Sequence, residues 1–315
     1  MAKLIKIKGD ASFRTFFRKK DNQKNSIIVL AKKEKFKNLV VYDAINKILQ
    51  KNNILAPRLY KENYNKDYIE IEDFGNKTVF QELIKRRKNK FIYFKKIINL
   101  LIKIQSIRNR QIHTFKNKKY LIPKYEKKIL IKEANLFCDW YVKKNFSKTD
   151  IKKFSKDFRK VIKNLSTRLT LKENVFVHRD FHVSNLMLIK KGIGLIDSQD
   201  ALVGNRAYDL ASLIDDVRFK TSKSLKKRIF NYYLKEQKKI DVRKFKNDFE
   251  ILSVMRNLKI IGIFTRLAIR DGKKDYLKLI PYAWKLISIR INENQVFEDL
   301  KNLLIQKFKK KLNEN

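Results

Sequence analysis

Apolar and polar positions alternate from the start of the chain. Leu4-Ile5-Lys6-Ile7 alternates and stops at Gly9-Asp10-Ala11-Ser12, and a second run extends from Phe13 to Arg18. Ser26-Ile27-Ile28-Val29-Leu30 is continuous enough for a central strand. The period then changes. Leu39, Val40, Ala44, Ile45, Ile48 and Leu49 recur at helical spacing, and the pattern closes at Lys51-Asn52-Asn53 ahead of Pro57. Tyr68-Ile69-Glu70-Ile71-Glu72 returns to alternation and breaks at Asp73-Phe74-Gly75. Beyond Gly75 the chain reads as helix almost throughout, with segments such as Phe91 to Ile107, Tyr125 to Asn145, Ile151 to Leu169, Tyr208 to Phe219 and Phe249 to Arg270. One interruption stands out: two apolar runs, Leu186 to Ile189 and Ile193 to Ile196, flank the turn-like Lys190-Lys191-Gly192, which predicts a β-hairpin. Strands first and helices after predict an α+β fold, with a small β-rich lobe over 1–75 and a large helical lobe over 76–315.

That hairpin carries the chemistry. Antiparallel pairing sets Asn185 beside Asp197 at the open end, with Asp180 on the loop just upstream in His178-Arg179-Asp180-Phe181-His182. An amide oxygen, a carboxylate and a second carboxylate nearby form a hard-oxygen set suited to Mg²⁺ and a phosphate chain. The spacing His-Arg-Asp-x-x-x-x-Asn followed by a metal-binding Asp is the logic of phosphoryl transfer on a kinase-like fold. Asp180 is the expected catalytic residue, orienting the attacking hydroxyl and accepting its proton. An aspartate is a weak base, which suffices where positioning and charge neutralisation dominate. Asn185 and Asp197 are the expected Mg²⁺ ligands. His178 and Arg179 are expected to pack and brace the loop, while His182 either reaches the cleft or serves as a satisfied structural histidine. Gln199 and Asp200 face nucleotide or acceptor in this reading. Asp209 opens an apolar-periodic segment as an N-cap, a role compatible with bracing the catalytic loop. The Gly9 to Phe13 turn sits where ATP phosphates would be covered, although it is not a G-x-G-x-x-G.

Composition narrows the picture in three respects. The 315 residues, 43% hydrophobic and 12% aromatic, suit a globular chain with a real core. No apolar stretch approaches the ~20 residues of a membrane span, and the N-terminus does not read as a signal peptide. A single cysteine, Cys138, forbids an internal disulfide and fits a cytoplasmic setting, and three histidines leave no zinc-type cluster. The net charge of +44 could signal a polyanionic partner. Its lysines are spread over nearly every segment, however, and travel with Asn, Ile, Phe and Tyr, the residues of A/T-rich codons. The bias therefore reads as genome composition, and neither a nucleic-acid partner nor a membrane span is expected.

His178-Arg179-Asp180-Phe181-His182-x-x-Asn185-Leu186-Met187, Gly194-Leu195-Ile196-Asp197-x-Gln199-Asp200-Ala201 and Tyr208-Asp209-Leu210-Ala211-Ser212-Leu213 together resemble the aminoglycoside phosphotransferase family. Within it, the chain is most similar to the bacterial anomeric kinases of N-acetylmuramate and N-acetylglucosamine. The likeness extends to Gly9-Asp10-Ala11-Ser12-Phe13-Arg14, Glu72-Asp73-Phe74-Gly75, the segment from Glu133 to Tyr141 and that from Leu258 to Ala268. It implies a bilobal protein-kinase-like fold with ATP between the lobes. It implies nucleotide contacts from Ser12, Phe13, Arg14, Lys32 and Glu72, and acceptor contacts from Glu133, Asp139 and Trp140, with His182, Gln199 and Asp200 nearby. A carboxylate accepts hydroxyls and an indole face stacks on a pyranose, which suits a sugar. This chain departs from its relatives in three places. Ser198 stands where a bulky apolar residue usually follows the metal Asp, and Leu30-Ala31-Lys32-Lys33 replaces an Asp-Ala-Pro-Pro-like turn. No lysine paired with a helix carboxylate stands out as the phosphate anchor: Lys32 and Lys33 are candidates, and Asp43 is the acid of the following helix.

The expectation is therefore a Mg²⁺-dependent ATP phosphotransferase acting on a small-molecule hydroxyl, an amino sugar in cell-wall recycling foremost. An aminoglycoside or choline-like acceptor is the enzymatic alternative. A basic nucleic-acid or anionic-surface binder on a kinase fold is the non-enzymatic one.

Overall fold

The computed structural model describes residues 3–7, 14–20, 24–31, 37–86, 89–172, 174–237 and 239–313. The expected nucleotide contacts Ser12, Phe13 and Lys32 lie outside these, as does Lys33. The chain packs as two compact units, one formed by residues 1–124 with 175–203 and the other by 125–174 with 204–315.

The first unit is built on five antiparallel strands in the order β1-β2-β3-β5-β4: β1 (Lys3–Ile7), β2 (Thr15–Lys20), β3 (Ser26–Leu30), β4 (Leu59–Asn63) and β5 (Tyr68–Glu72). The apolar run read as central is indeed interior, with β3 between β2 and β5. β1 is an exposed edge whose lysines discourage further strand pairing. β4 went unread from the sequence because Leu-Tyr-Lys-Glu-Asn is too polar to alternate cleanly, and it lies at the other edge with a register shift between Leu59 and Lys61. Helix α1 (Lys37–Lys51) closes one face of the sheet, where Leu39 and Tyr42 meet Val29, Ala31, Ile69 and Ile71. Helix α2 (Val79–Lys85) starts at a capping box between Thr78 and Gln81, and α3 (Lys90–Gln105) buries Phe94, Ile97, Ile98, Leu101 and Ile104 at helical spacing. A short hairpin of β6 (Gln111–His113) and β7 (Lys119–Leu121) follows.

β8 (Asn174–Val177) leads into the segment of His178 to Asn185. The predicted hairpin is present as β9 (Leu186–Ile189) and β10 (Gly192–Leu195), antiparallel, with Leu186 opposite Leu195 and Ile189 opposite Gly192. It is fastened to earlier parts of the same unit: Leu195 N donates to Leu55 O at 2.7 Å and Leu188 N to Lys77 O at 2.8 Å. Gly194 lies so close to the Phe74 ring that an added Cβ would sit 2.6 Å from it. These attachments explain why the compact units run across residue 75, the position at which the pattern of strands and helices changes. β11 (Leu202–Asn205) leaves the segment.

The second unit is helical: α4 (Lys127–Leu136), a π-helical turn over Phe137–Val142, α5 (Lys143–Asn145), α6 (Lys148–Thr167), α7 (Ala207–Ile214), α8 (Lys223–Glu236), α9 (Val242–Arg270), α10 (Ile280–Glu293) and α11 (Glu298–Asn313). The continuous helix expected over 125–145 is thus interrupted, and that expected over 208–219 ends at Ile214. α9 is buried on nearly every side from Asp248 to Ala268, which is why its apolar residues extend round the whole helix. Gly262 brings its backbone against the π-turn, where an added Cβ would lie 2.3 Å from the Leu136 carbonyl. No helix among the described residues is long and apolar enough to cross a membrane.

Candidate active site

The hairpin register brings its two ends together, and the backbone seals the join: Ile196 N donates to Asn185 O at 3.1 Å. Asn185 Nδ2 donates to Asp180 O at 3.0 Å, so the side chain expected to bind metal also fixes the loop bearing the expected catalytic carboxylate. His182 is buried, with Nε2 3.4 Å from the same amide nitrogen, and it orients Asn185 from behind. His178 is fully buried beneath the loop. Burial pushes its imidazole pKa down, and because a carbonyl only accepts, the proton on Nε2 is donated to Ile196 O at 3.1 Å.

Two residues of this segment hold left-handed backbone angles without being glycine, Arg179 at φ 74° and Asp197 at φ 63°. Such conformations persist only where the surroundings over-determine them, and they gather at functional sites. Arg179 Nη1 donates to Asp200 O at 3.0 Å, tying the Asp180 loop to the segment beyond Asp197. The Asp197 side chain meets Arg14, whose Nη1 is 3.4 Å from Oδ1, and receives Gln199 Nε2 at 2.9 Å. Enclosure by protein and the charge of Asp180 push the Asp197 carboxyl up, against the pull of Arg14. Two carboxylates in mutual repulsion, one with its side chain 41% exposed, suit a divalent cation. Among the described residues no three His, Cys, Asp or Glu side chains form a metal cage.

The other expected contacts are partly committed elsewhere. Gln199 is buried, its amide spanning Asp197 and Asp200 Oδ2, and its Oε1 has no hydrogen-bond partner among the described residues. Asp200 is exposed. Glu72 gives its carboxylate to Arg58, with contacts of 2.9 and 3.2 Å. Within the second unit, Glu133 is buried, paired with Lys259 at 2.9 Å and accepting the Tyr125 hydroxyl. Asp139 instead lines a hollow of about 330 Å³ beside Arg159 of α6, a hollow that Glu133 does not line. Trp140 is half-buried. Asp209 is not an N-cap: α7 begins at Ala207, whose N–H is accepted by Asn205 Oδ1 at 2.9 Å, and Asp209 is fully buried at its third position.

Three residues of the site were not read as part of it. Asn46 and Tyr42 lie on the buried face of α1, and Ser198, noted only as a departure, donates to Asn46 Oδ1 at 2.5 Å. A polar residue inside the Ile45 to Leu49 apolar stretch was the available signal. Arg14 was expected near nucleotide, but its pairing with Asp197 depends on a contact across 183 residues. Arg18 similarly grips Asp73 through Nε at 2.5 Å and Nη2 at 3.0 Å, fixing β2 to the exit of β5.

Residues 3–244 match the profile of the phosphotransferase enzyme family, APH. An N-acetylmuramate/N-acetylglucosamine kinase of Neisseria meningitidis serogroup B is 27% identical over 86% of this chain and 80% of its own length. The Pseudomonas aeruginosa protein of the same name is 26% identical over 96% of this chain and 88% of its own. Among solved structures, an ethanolamine kinase of Plasmodium vivax superposes with a TM-score of 0.62 at 16% identity, covering 98% of this chain and 84% of that one. That likeness is one of fold.

Proposed function

The chain belongs to the APH phosphotransferase enzyme family and is an ATP-dependent kinase, and from that premise we propose that it phosphorylates the anomeric hydroxyl of N-acetylmuramate or N-acetylglucosamine in cell-wall sugar recycling. The observation that supports this reading is the bond of Ile196 to Asn185 and of the Asn185 amide to the Asp180 carbonyl, which ties the Asp180 loop to the hairpin end that leads into Asp197. The names of relatives that match most of the chain support the acceptor.

Asp180 orients the attacking hydroxyl and takes up its proton as the acceptor oxygen bonds to the γ-phosphorus and the bond to the β-phosphate oxygen breaks. Asn185 and Asp197 would hold Mg²⁺, which when bound neutralises charge on the phosphates. Arg14, buried beside Asp197, supplies a fixed positive charge where no anchoring lysine was evident in the sequence. Adenine would lie near Ile69 to Asp73, where Arg58 holds the Glu72 side chain. For the acceptor, Asp200 offers an exposed carboxylate and Gln199 an unmet carbonyl oxygen. Trp140 and Asp139 are the proposed acceptor contacts within the second unit taken by itself, where Glu133 is held by Lys259 and Tyr125. ATP as donor and a single free cysteine support a cytoplasmic setting.

The test is a panel of N-acetylmuramate, N-acetylglucosamine, choline, ethanolamine and an aminoglycoside, followed by ADP release and ³¹P NMR of the product. Turnover confined to the last three would overturn the sugar assignment. Asp180→Asn should lower kcat by at least about 100-fold while calorimetry finds ATP binding little changed. An unaltered kcat in that variant would remove Asp180 from the mechanism.

A further inference from the structure

The residue after Asp197 is the serine that departs from the family pattern, and the structure gives it a partner. Ser198 is fully buried, and its hydroxyl donates to Asn46 Oδ1 at 2.5 Å. Asn46, 2% exposed on α1, is oriented from its other end: its Nδ2 donates to Pro57 O at 3.1 Å, so the amide oxygen must face Ser198. Tyr42, one turn earlier, is hydrogen-bonded to Asn46 and feels the charge of Asp197. A buried polar chain therefore runs from α1 to the residue adjoining the metal-site carboxylate. That carboxylate belongs to a residue at φ 63°, a conformation that needs outside support. The one acid in the middle of α1, Asp43, is paired with its own neighbour Lys47 at 2.7 Å. The helix thus reaches the site through a neutral hydrogen bond rather than an ion pair.

We propose that the Ser198–Asn46 hydrogen bond is a positioning device that holds Asp197 in its left-handed conformation and so couples α1 to divalent-cation binding. The inference rests on the reading of Asp197 as a metal ligand. Removing either partner leaves a buried polar group unsatisfied or frees the strained residue to relax, and in both cases the carboxylate loses its set direction.

The experiment needs no acceptor. The full chain is titrated with Mn²⁺ in the presence of a non-hydrolysable ATP analogue, and free Mn²⁺ is read by EPR for wild type, Ser198→Ala, Asn46→Ala, the double variant, Ser198→Thr and Asp197→Asn. Thermal unfolding and metal-free nucleotide binding serve as checks on folding. Ser198→Ala and Asn46→Ala should each weaken Mn²⁺ binding by roughly 5- to 100-fold, and the double variant should lose no more than a single one. Ser198→Thr, which keeps the hydroxyl, should recover most of the affinity. A folded Ser198→Ala with Mn²⁺ affinity equal to wild type overturns the proposal, as does a double variant whose loss is the product of the two singles. If Asn46→Ala does not fold, the contrast between Ser198→Ala and Ser198→Thr decides alone. An Asp197→Asn variant that still binds Mn²⁺ like wild type defeats the metal assignment, and the proposal falls with it. An Asp197→Asn that loses Mn²⁺ while Ser198→Ala keeps it defeats the positioning device only.

Discussion

Asp215 shows how a single buried charge is made tolerable in this chain. Burial by itself would lift its carboxyl. Lys226 Nζ at 2.9 Å, the Arg290 guanidinium at 3.0 Å and the Ser253 hydroxyl at 2.6 Å hold it well below the ordinary carboxylate range instead. Replacing it by asparagine leaves two cations poorly compensated in the interior, so Asp215→Asn should cost about 3–5 kcal/mol in urea denaturation. The sign with pH follows from linkage. A folded-state pKa below the unfolded value of about 3.9 gives stability that is complete above that pH and is lost as pH falls through the folded value. Unfolding free energies measured from pH 7 to about pH 3 should therefore fall less steeply for Asp215→Asn than for wild type; parallel acid limbs would show that Asp215 is not a depressed carboxylate. Neither Lys226 nor Arg290 could be matched to Asp215 from the sequence, since the partners lie 11 and 75 residues away.

At the scale of elements, two glycines decide how closely secondary structures approach. Gly194 on β10 admits the Phe74 ring, whereas Gly262 on α9 admits the backbone of Leu136 and Phe137 at the start of the π-turn. A ring can tilt away from a new methyl, but a helical backbone packed on both sides cannot. Gly262→Ala should therefore be the more damaging change, beyond the about 1–3 kcal/mol typical of overpacking, with Gly194→Ala within that range. Differential scanning calorimetry on both variants gives the order, and a larger loss for Gly194→Ala would contradict it. The hairpin itself was legible because two short apolar runs flanking a turn-like Lys-Lys-Gly are local properties. β4 and the π-turn were not: the first is a polar edge strand that pairs only because β5 is beside it, and the second depends on the close passage of α9.

For the whole molecule, 76 basic against 32 acidic residues make self-repulsion the dominant long-range electrostatic effect. Salt screens it over about 8 Å at physiological strength. Raising NaCl from about 0.02 to 0.5 M should consequently raise the melting temperature by a few degrees, and a fall would mean that surface ion pairs outweigh the repulsion. The sequence by itself determined the α+β order and the hairpin that sets Asn185 beside the segment of Asp197, because apolar runs flanking a turn are local and a hairpin brings its own ends together. Only the tertiary structure decided what stands around that hairpin. Arg14 reaches Asp197 and Ser198 reaches Asn46 across 183 and 152 residues, Glu133 is turned inward to Lys259, and Asp209 lies inside its helix rather than at its cap. Each of these depends on which segments pack together. Packing is the cooperative outcome of burying the whole chain's apolar surface, and no local spacing encodes it.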